Sequence, residues 1–163
     1  MINLFENTEI SEEEKIYVTT DKYKIGQENT NEYVDGDKYL YRISPNTTIT
    51  EFMNNISTNA NISIYNESGE ELTNYDELIK TGMTLKISKD EKNIELIVSV
   101  LGDINSDGYA DISDLVAIRK HIQEIAKISE DEKSLAADIN EDNSIDISDL
   151  VKVRKHIQEV ETL

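Results

Sequence analysis

The chain has 163 residues, enough for one or two small domains with a modest core in each. Its 34 acidic and 16 basic residues give a formal charge of −18, which argues against partners such as nucleic acid or an anionic membrane surface. There is no cysteine to form a disulfide or a thiol nucleophile, and no apolar run is long enough for membrane insertion.

Residues 1–14 are acidic and aperiodic, and we interpret them as a lead-in to a module over residues 15–101. Runs rich in β-branched and aromatic residues predict short strands in that module. The predicted strands cover residues 16–20, 23–25, 38–43, 61–65, 83–88 and 94–100. Because alternate residues of a strand face opposite ways, Leu40 is predicted on one face of the third strand and Tyr39, Tyr41 and Ile43 on the other.

A helix is predicted after Pro45, where Thr48 and Glu51 have the spacing of a capping box. Four apolar residues at helical spacing are predicted to face the core: Ile49, Phe52, Met53 and Ile56. Residues 73–80 are predicted to form a short helical turn. The module is thus predicted to be α+β, a small mainly antiparallel sheet with one helix. It contains no histidine and no clustered acids, so no catalytic site is predicted, although paired carboxylates for glycoside hydrolysis stay open.

Residues 103–114 and 138–149 are two copies of one twelve-residue segment. In both copies Asp or Asn stands at positions 1, 3, 5, 9 and 12. An EF-hand-type loop wraps Ca²⁺ with oxygen atoms at these positions and with the main-chain carbonyl of position 7. Ca²⁺ is a hard cation that prefers oxygen ligands, so two such loops in register predict a pair of calcium sites.

Each loop runs into a helix, because Asp111 and Asp146 at position 9 can accept its free backbone amides. The apolar residues of the two helices are predicted to form one face each and to pack together: Leu115, Ile118, Ile122 and Ile125 in the first, and Leu150, Val153, Ile157 and Val160 in the second. A short helix is predicted over residues 129–137, with Ser129 and Glu132 as its capping box. Since no flexible linker precedes the first loop, the two halves of the chain are predicted to pack as one rigid body.

Residues 101–163 resemble a dockerin, the calcium-binding docking module of cellulosome-type assemblies. The resemblance lies in two nearly identical loop-helix repeats that lack the leading helix of a full EF-hand, and in Asp at position 12 where an ordinary EF-hand has Glu. It implies an all-α module over residues 102–163 with two bound Ca²⁺. With position 7 acting through its carbonyl and position 9 through water, the implied ligands are Asp103, Asn105, Asp107, Tyr109, Asp111 and Asp114, and Asp138, Asn140, Asp142, Ser144, Asp146 and Asp149.

Two positions depart from the family pattern. Asn143 stands at position 6 of the second loop where glycine is usual, and this implies a weaker site. Ala110 stands at position 8 of the first loop where a branched apolar residue is usual, and this implies thinner packing between the loops.

The resemblance also implies docking to a cohesin module on a scaffoldin or a cell-surface anchor. The implied contacts begin at loop positions 10 and 11 and continue along each helix: Ile112, Ser113, Val116, Arg119, Lys120 and Gln123, and Ile147, Ser148, Val151, Arg154, Lys155 and Gln158. Because both repeats carry the same stripe, a half-turn of the module presents nearly the same surface, and a dual binding mode is expected. The alternative is that Ile112 and Ile147 belong to the core and that the basic residues are only solvated.

Residues 15–101 loosely resemble the accessory X-type modules that precede some dockerins, mainly in the run from Tyr39 to Thr48. This implies a stabilising or presenting role. We expect a non-catalytic part of a secreted bacterial protein of polysaccharide degradation, extracellular or attached to the cell surface, and monomeric by itself. The alternatives are an EF-hand calcium sensor or buffer, and a carbohydrate-active or carbohydrate-binding unit in residues 15–101. A sensor of the calmodulin class is disfavoured, because residues 101–163 contain no methionine for an apolar groove.

Overall fold

The computed structural model describes residues 15–26 and 31–163. The predicted lead-in over residues 1–14 lies outside the described residues. The elements within them are β1 (Val18–Thr19), β2 (Lys24–Ile25), β3 (Tyr39–Ile43), α1 (Ile49–Asn54), β4 (Ser57–Thr58), β5 (Asn61–Tyr65), β6 (Thr84–Lys89), β7 (Lys92–Val100), α2 (Ile112–Ile122), α3 (Asp131–Ala137) and α4 (Ile147–Ile157).

Five strands form one sheet in the order β2-β3-β7-β6-β5. Neighbouring strands run antiparallel except β3 and β7, which pair in parallel, so the predicted sheet region is confirmed. Strands β6 and β7 form a hairpin, and Asp90 in its turn has a φ of 55°. Strands β1 and β4 pair separately. The apolar side chains of the sheet and of α1 make the larger of two cores.

Strand β3 contains an irregularity that changes which of its residues face the core. Its pairing with β7 shifts register between Leu40 and Ile43, and Arg42 has a φ of 67°. A residue in this left-handed conformation bends the strand, so Leu40 and Ile43 both lie fully buried in the same core. The prediction that strand alternation separates Leu40 from Ile43 is therefore wrong.

Helix α1 begins as predicted at Thr48, whose side chain accepts the amide of Glu51 at 3.2 Å. The Glu51 carboxylate pairs with Lys22 at 2.9 Å, so the predicted capping box is formed only in its first half. The apolar face of α1 packs into the core, where the Phe52 ring stacks on Tyr23 with centroids 5.4 Å apart.

Residues 73–80 form no helix, and the predicted helical turn is reduced to one hydrogen-bonded turn, in which the amide of Glu77 donates to the carbonyl of Asn74 at 3.4 Å. The segment runs alongside α1 and accepts hydrogen bonds from its first turn. The amide of Ile49 donates to the carbonyl of Glu77 at 2.8 Å, and the amide of Thr50 to that of Tyr75 at 3.0 Å. Because the first amides of a helix have no partner within it, this pairing favours an extended path over a helical one.

Helices α2 and α4 pack together over the second, smaller core, which contains Leu101, Ile104, Ile118, Ala137, Ile139 and Val153. The predicted C-terminal helical region is confirmed, but two of the residues predicted in its core are not there. Ile125 is 68% exposed and Val160 is 70% exposed. Both follow the helix ends, where Glu124 and Glu159 have left-handed backbones and turn the chain away from the core.

Helix α3 is the predicted short helix, but it begins later and without a side-chain cap. Its N-cap residue is Glu130, and no side chain of the described residues caps it. The Ser129 hydroxyl donates to the Glu130 carboxylate at 3.4 Å, so the predicted box of Ser129 with Glu132 is wrong.

The two halves of the chain meet where α3 packs against β3 and β7. Ser99 donates its hydroxyl hydrogen to the carbonyl of Glu132 at 2.7 Å. The Tyr39 hydroxyl donates to the Asp131 carboxylate at 3.0 Å. Gly102 joins the halves with a φ of 76°, and a Cβ atom there would lie 2.7 Å from that of Ala110. A side chain at Gly102 would therefore clash with the first loop of the C-terminal half.

Among the described residues, no helix combines the length and the apolar character that a membrane span requires.

Candidate functional site

The first loop, residues 103–114, is closed by hydrogen bonds from backbone amides to the carboxylates at its two ends. Asp103 Oδ1 accepts the amide of Asp107 at 2.9 Å. Asp114 accepts three amides, those of Ile104 at 2.8 Å, Asn105 at 3.0 Å and Asp111 at 3.0 Å. A carboxylate offers about four acceptor positions, so these bonds leave lone pairs available within the loop.

The second loop, residues 138–149, repeats this arrangement. Asp149 accepts the amides of Ile139 at 2.7 Å, Asn140 at 3.2 Å and Asp146 at 3.0 Å. The loops differ at position 1. Asp138 accepts the amide of Asn143 at position 6 of its own loop at 2.9 Å, and Asp103 likewise accepts the amide of Gly108. Oδ2 of Asp103 also accepts the amide of Thr81 from the N-terminal half at 2.9 Å.

Three of the loop carboxylates are buried without a positive partner. Asp103, Asp114 and Asp149 are each 0% exposed, and none of the ion pairs within the described residues involves them. Burial raises the pKa of Asp103 to about 6, despite the opposing effect of its amide bonds, and burial likewise raises the pKa of Asp114. A bound cation offsets the cost of burying these charges, and an all-oxygen donor set suits Ca²⁺. The residues present therefore fit a calcium ion.

The residues at positions 9 and 12 serve the loop and the following helix together. Asp111 accepts the amide of Ser113 at 2.7 Å, and Asp146 accepts that of Ser148 at 2.7 Å. In each repeat the carboxylate at position 12 completes a capping box by accepting the amide of position 9. The hydrogen bonds from the Ser148 side chain and amide lower the pKa of Asp146. Loop closure and helix initiation are thus one structural event.

Within residues 15–26 and 31–163, no three His, Cys, Asp or Glu side chains form a metal-binding group by themselves. The two predicted ligand sets are not of that type, because each combines carboxylates with an Asn side-chain oxygen and a main-chain carbonyl. The side chains at positions 3 and 5 are already adjacent: Asn105 Nδ2 donates to Asp107 at 2.8 Å, and Asn140 Nδ2 donates to Asp142 at 2.8 Å.

Asn143 takes the left-handed conformation that the loop requires at position 6, with a φ of 65°, where Gly108 of the first loop has 87°. This conformation costs an L-residue about 1–2 kcal/mol, less for Asn, and glycine does not incur it. We expect Asn143→Gly to tighten calcium binding at the second loop by about two- to fivefold, because only part of that cost is recovered. Calorimetric calcium titration measures the change. Unchanged calcium affinity of the second loop in this variant would contradict the expectation.

The apolar residues implied in partner contact lie on the surface. Ile112 is 66% exposed, Val116 39%, Ile147 62% and Val151 43%, so the alternative that placed Ile112 and Ile147 in the core is wrong. Ser148 is half-buried, and the other polar residues of the two stripes are exposed: Ser113, Arg119, Lys120, Gln123, Arg154, Lys155 and Gln158.

The two stripes differ in the pairing of one lysine. Lys155 Nζ lies 3.3 Å from the Glu161 carboxylate, which also lies 3.7 Å from Lys152 Nζ. In the first repeat, Ala126 stands at the position equivalent to Glu161, so Lys120, the equivalent of Lys155, lacks this partner. The first stripe therefore carries the more available positive charge.

The duplicated histidines fasten the chain after each helix. His121 Nδ1 accepts the amide of Ile128 at 2.9 Å, and His156 Nδ1 accepts the amide of Leu163 at 3.3 Å. Both bonds hold the turn that follows the helix, which gives these side chains a structural role.

Three residues of the N-terminal half reach the loops and escape prediction from the sequence. Besides Thr81, they are Asn46, whose amide donates to the Gly108 carbonyl at 2.9 Å, and Arg42, whose Nη1 donates to the Ile139 carbonyl at 2.9 Å. One weak signal exists, because Arg42 is the only arginine among the first 101 residues. The amides of Thr81 and Asn46 give no signal, since every residue except proline has one.

Residues 101–158 match the family model of the dockerin type I domain. The match includes both loops, both long helices and every residue predicted as a calcium ligand or a partner contact. No curated protein and no solved structure matches the chain.

Proposed function

Because residues 101–158 are a dockerin module, we propose that the chain docks its parent protein to a cohesin on a scaffoldin or cell-surface anchor in a calcium-dependent manner. Dockerin domains are non-catalytic, bind calcium, and have a general role in cohesin-based assembly. The finer proposal is that two ions bind, one in residues 103–114 and one in residues 138–149. The ions hold the loops and the helix starts in the geometry that presents the docking stripes.

The observation that carries this proposal is the exposure of two matching apolar stripes. Ile112 and Ile147 are more than half exposed, although isoleucine is among the residue types most often buried. Each is followed along its helix by an exposed valine and an exposed basic pair. Contiguous apolar surface with a polar rim is typical of a protein interaction site.

The repetition of the stripe supports a dual binding mode, in which either helix dominates the contact with the cohesin. The side chains that differ between the repeats lie mostly beside the stripe, as with Ala117 against Lys152. A half-turn of the module then exchanges two nearly equivalent surfaces.

For residues 15–101 we propose an X-type accessory role, without catalysis, in stabilising or presenting the docking module. The hydrogen bonds from Thr81, Asn46 and Arg42 to the loops support this role. The parent is proposed to be a secreted bacterial protein of a cellulosome that degrades polysaccharide, located outside the cell or on its surface. The chain by itself is proposed to be a monomer.

Binding of the full chain to a panel of purified cohesin modules tests the docking proposal. We expect tight binding to at least one of them in millimolar calcium and loss of that binding in excess EGTA. Absence of calcium-dependent binding across a broad panel would overturn the proposal.

The same preparations separate the alternatives. A calcium sensor would bind amphipathic helical peptides when loaded with calcium. A carbohydrate-active unit would release sugars from polysaccharide, and a carbohydrate-binding unit would be retained on it, with or without EGTA.

A further inference from the structure

The first calcium loop shares a buried hydrogen bond with the N-terminal half. The Thr81 amide donates to Oδ2 of Asp103, the position 1 ligand, at 2.9 Å, and both residues are fully buried. The side chain of Thr81 is fixed as well, since its Oγ1 accepts the amide of Val100 at 3.0 Å. On the other side of the loop, a Cβ atom at Gly108 would lie 2.9 Å from the Cβ of Leu78. The N-terminal half therefore forms one wall of this loop.

The second loop has a separate connection, through a side chain. Arg42 donates from Nη1 to the carbonyl of Ile139 at 2.9 Å, and its Nε lies 3.3 Å from the carboxylate of Glu141. Ile139 and Glu141 are positions 2 and 4 of the loop, next in sequence to the predicted ligands Asp138 and Asn140. Arg42 thus holds the segment that carries two predicted ligands.

The backbone of Arg42 is in an unfavourable conformation at the residue that makes this contact. A non-glycine residue with a φ of 67° inside a strand is strained, and such strain persists only where the surroundings enforce it. The strained residue is also the one that directs a planar fork of donors at two acceptors in the other half. The Arg42 side chain is 23% exposed, which strengthens its hydrogen bond to the Ile139 carbonyl, whereas the Glu141 side chain is 39% exposed and the ion pair is partly screened by solvent.

We propose that Arg42 and Thr81 are positioning residues of the two calcium sites, so that calcium affinity and the contact between the halves are thermodynamically coupled. The inference rests on the proposed binding of one ion in each loop. By linkage, any contact that favours the calcium-competent loop is favoured equally by calcium. The N-terminal half is then an integral part of both metal sites.

A competing effect has the opposite sign. The guanidinium is a positive charge beside a cation site, and by repulsion alone its removal would tighten binding. Glu141 neutralises that charge locally, so we expect the loss of positioning to dominate. The sign of the change in affinity therefore distinguishes positioning from electrostatic repulsion.

The test is a calcium titration of the full chain, followed by the ¹H–¹⁵N resonances of Gly108 for the first loop and Asn143 for the second. Arg42→Met should weaken the second loop by about tenfold, the low end of the effect of groups that orient metal ligands, and should change the first loop less. Arg42→Lys keeps the positive charge but loses the planar fork of donors. The calcium affinity of its second loop should lie between those of Arg42→Met and the unaltered chain. The control Lys86→Met removes a sheet lysine that lies 3.7 Å from Glu95 and away from the loops, and it should change neither site.

In the unaltered chain, the Thr81 amide resonance should move in step with that of Gly108 and exchange more slowly with solvent once calcium is bound. Equal affinities in Arg42→Met and the unaltered chain, or tighter binding in the variant, would overturn the role of Arg42. A Thr81 amide that does not respond to calcium would overturn the coupling at the first loop. If the unaltered chain binds fewer than two ions, the proposed calcium stoichiometry fails instead.

Discussion

Removal of calcium is expected to unfold the C-terminal half while the five-stranded sheet stays folded. Without a cation, Asp103, Asp114 and Asp149 are buried charges with no positive partner, and the core beneath them is small. A ligand present at about 1,000 times its dissociation constant stabilises the folded state by about 4 kcal/mol. For a module of this size, that loss lowers the midpoint of thermal unfolding by on the order of 20 °C.

Differential scanning calorimetry in calcium and in EGTA measures the shift, and hydrogen exchange locates it along the chain. Protection should be lost over α2 and α4 and kept at the β6–β7 pairing. The control is the same pair of scans on Glu91→Gln, which removes an exposed acid from the hairpin turn and should leave the calcium dependence unchanged. Identical unfolding with and without EGTA would show that the loops do not depend on a cation.

Removal of the basic pairs from both stripes is expected to abolish docking, whereas removal from one stripe should have little effect. If the two binding modes are equivalent, the loss of one halves the association constant, a change of about twofold. The variant without Arg119, Lys120, Arg154 and Lys155 leaves neither mode intact. Since buried anchor residues each contribute about 2 kcal/mol or more, we expect it to bind at least on the order of a hundredfold more weakly.

Surface plasmon resonance against the cohesin that binds most tightly in the panel measures both changes. A variant with Lys22→Ala and Lys86→Ala, which removes two positive charges from the N-terminal half, controls for total charge in the single-stripe variants. The variant lacking Arg119 and Lys120 should lose slightly more affinity for the cohesin than the variant lacking Arg154 and Lys155, because Lys155 is already paired with Glu161. Complete loss of binding in either single-stripe variant would rule out the dual mode.

The interior of the C-terminal half could be predicted because its information is local. Each loop places its oxygen-bearing residues within twelve positions, so Asp103 and Asp114 come close together independently of the rest of the fold. The same holds for the capping boxes at Asp111 and Asp146, which need only their own first turn. Because the segment is duplicated, the same local predictions hold for both repeats. Ile125 and Val160 could not be placed by helical periodicity, because the helix ends before them.

The N-terminal half was predictable in its elements but not in its details. Strand alternation misplaced Leu40 relative to Ile43, since it assumes a regular strand and the strand has a bulge at Arg42, the residue that contacts the second loop. Residues 73–80 gave a helical pattern, yet their carbonyls are used by the first turn of α1. Both errors lie at contacts with residues that are remote in the sequence.

The sequence by itself determined the spacing of the predicted ligands in the loops, the starts of the two long helices and the equivalence of the two exposed stripes. Only the tertiary structure decided that Thr81 would donate to Asp103 and that Arg42 would reach the second loop. Spacing along the chain specifies a site whose parts lie within one loop, because backbone geometry brings them together. A contact between a loop and a residue of the N-terminal half depends on how the two halves pack, and no local sequence pattern encodes it.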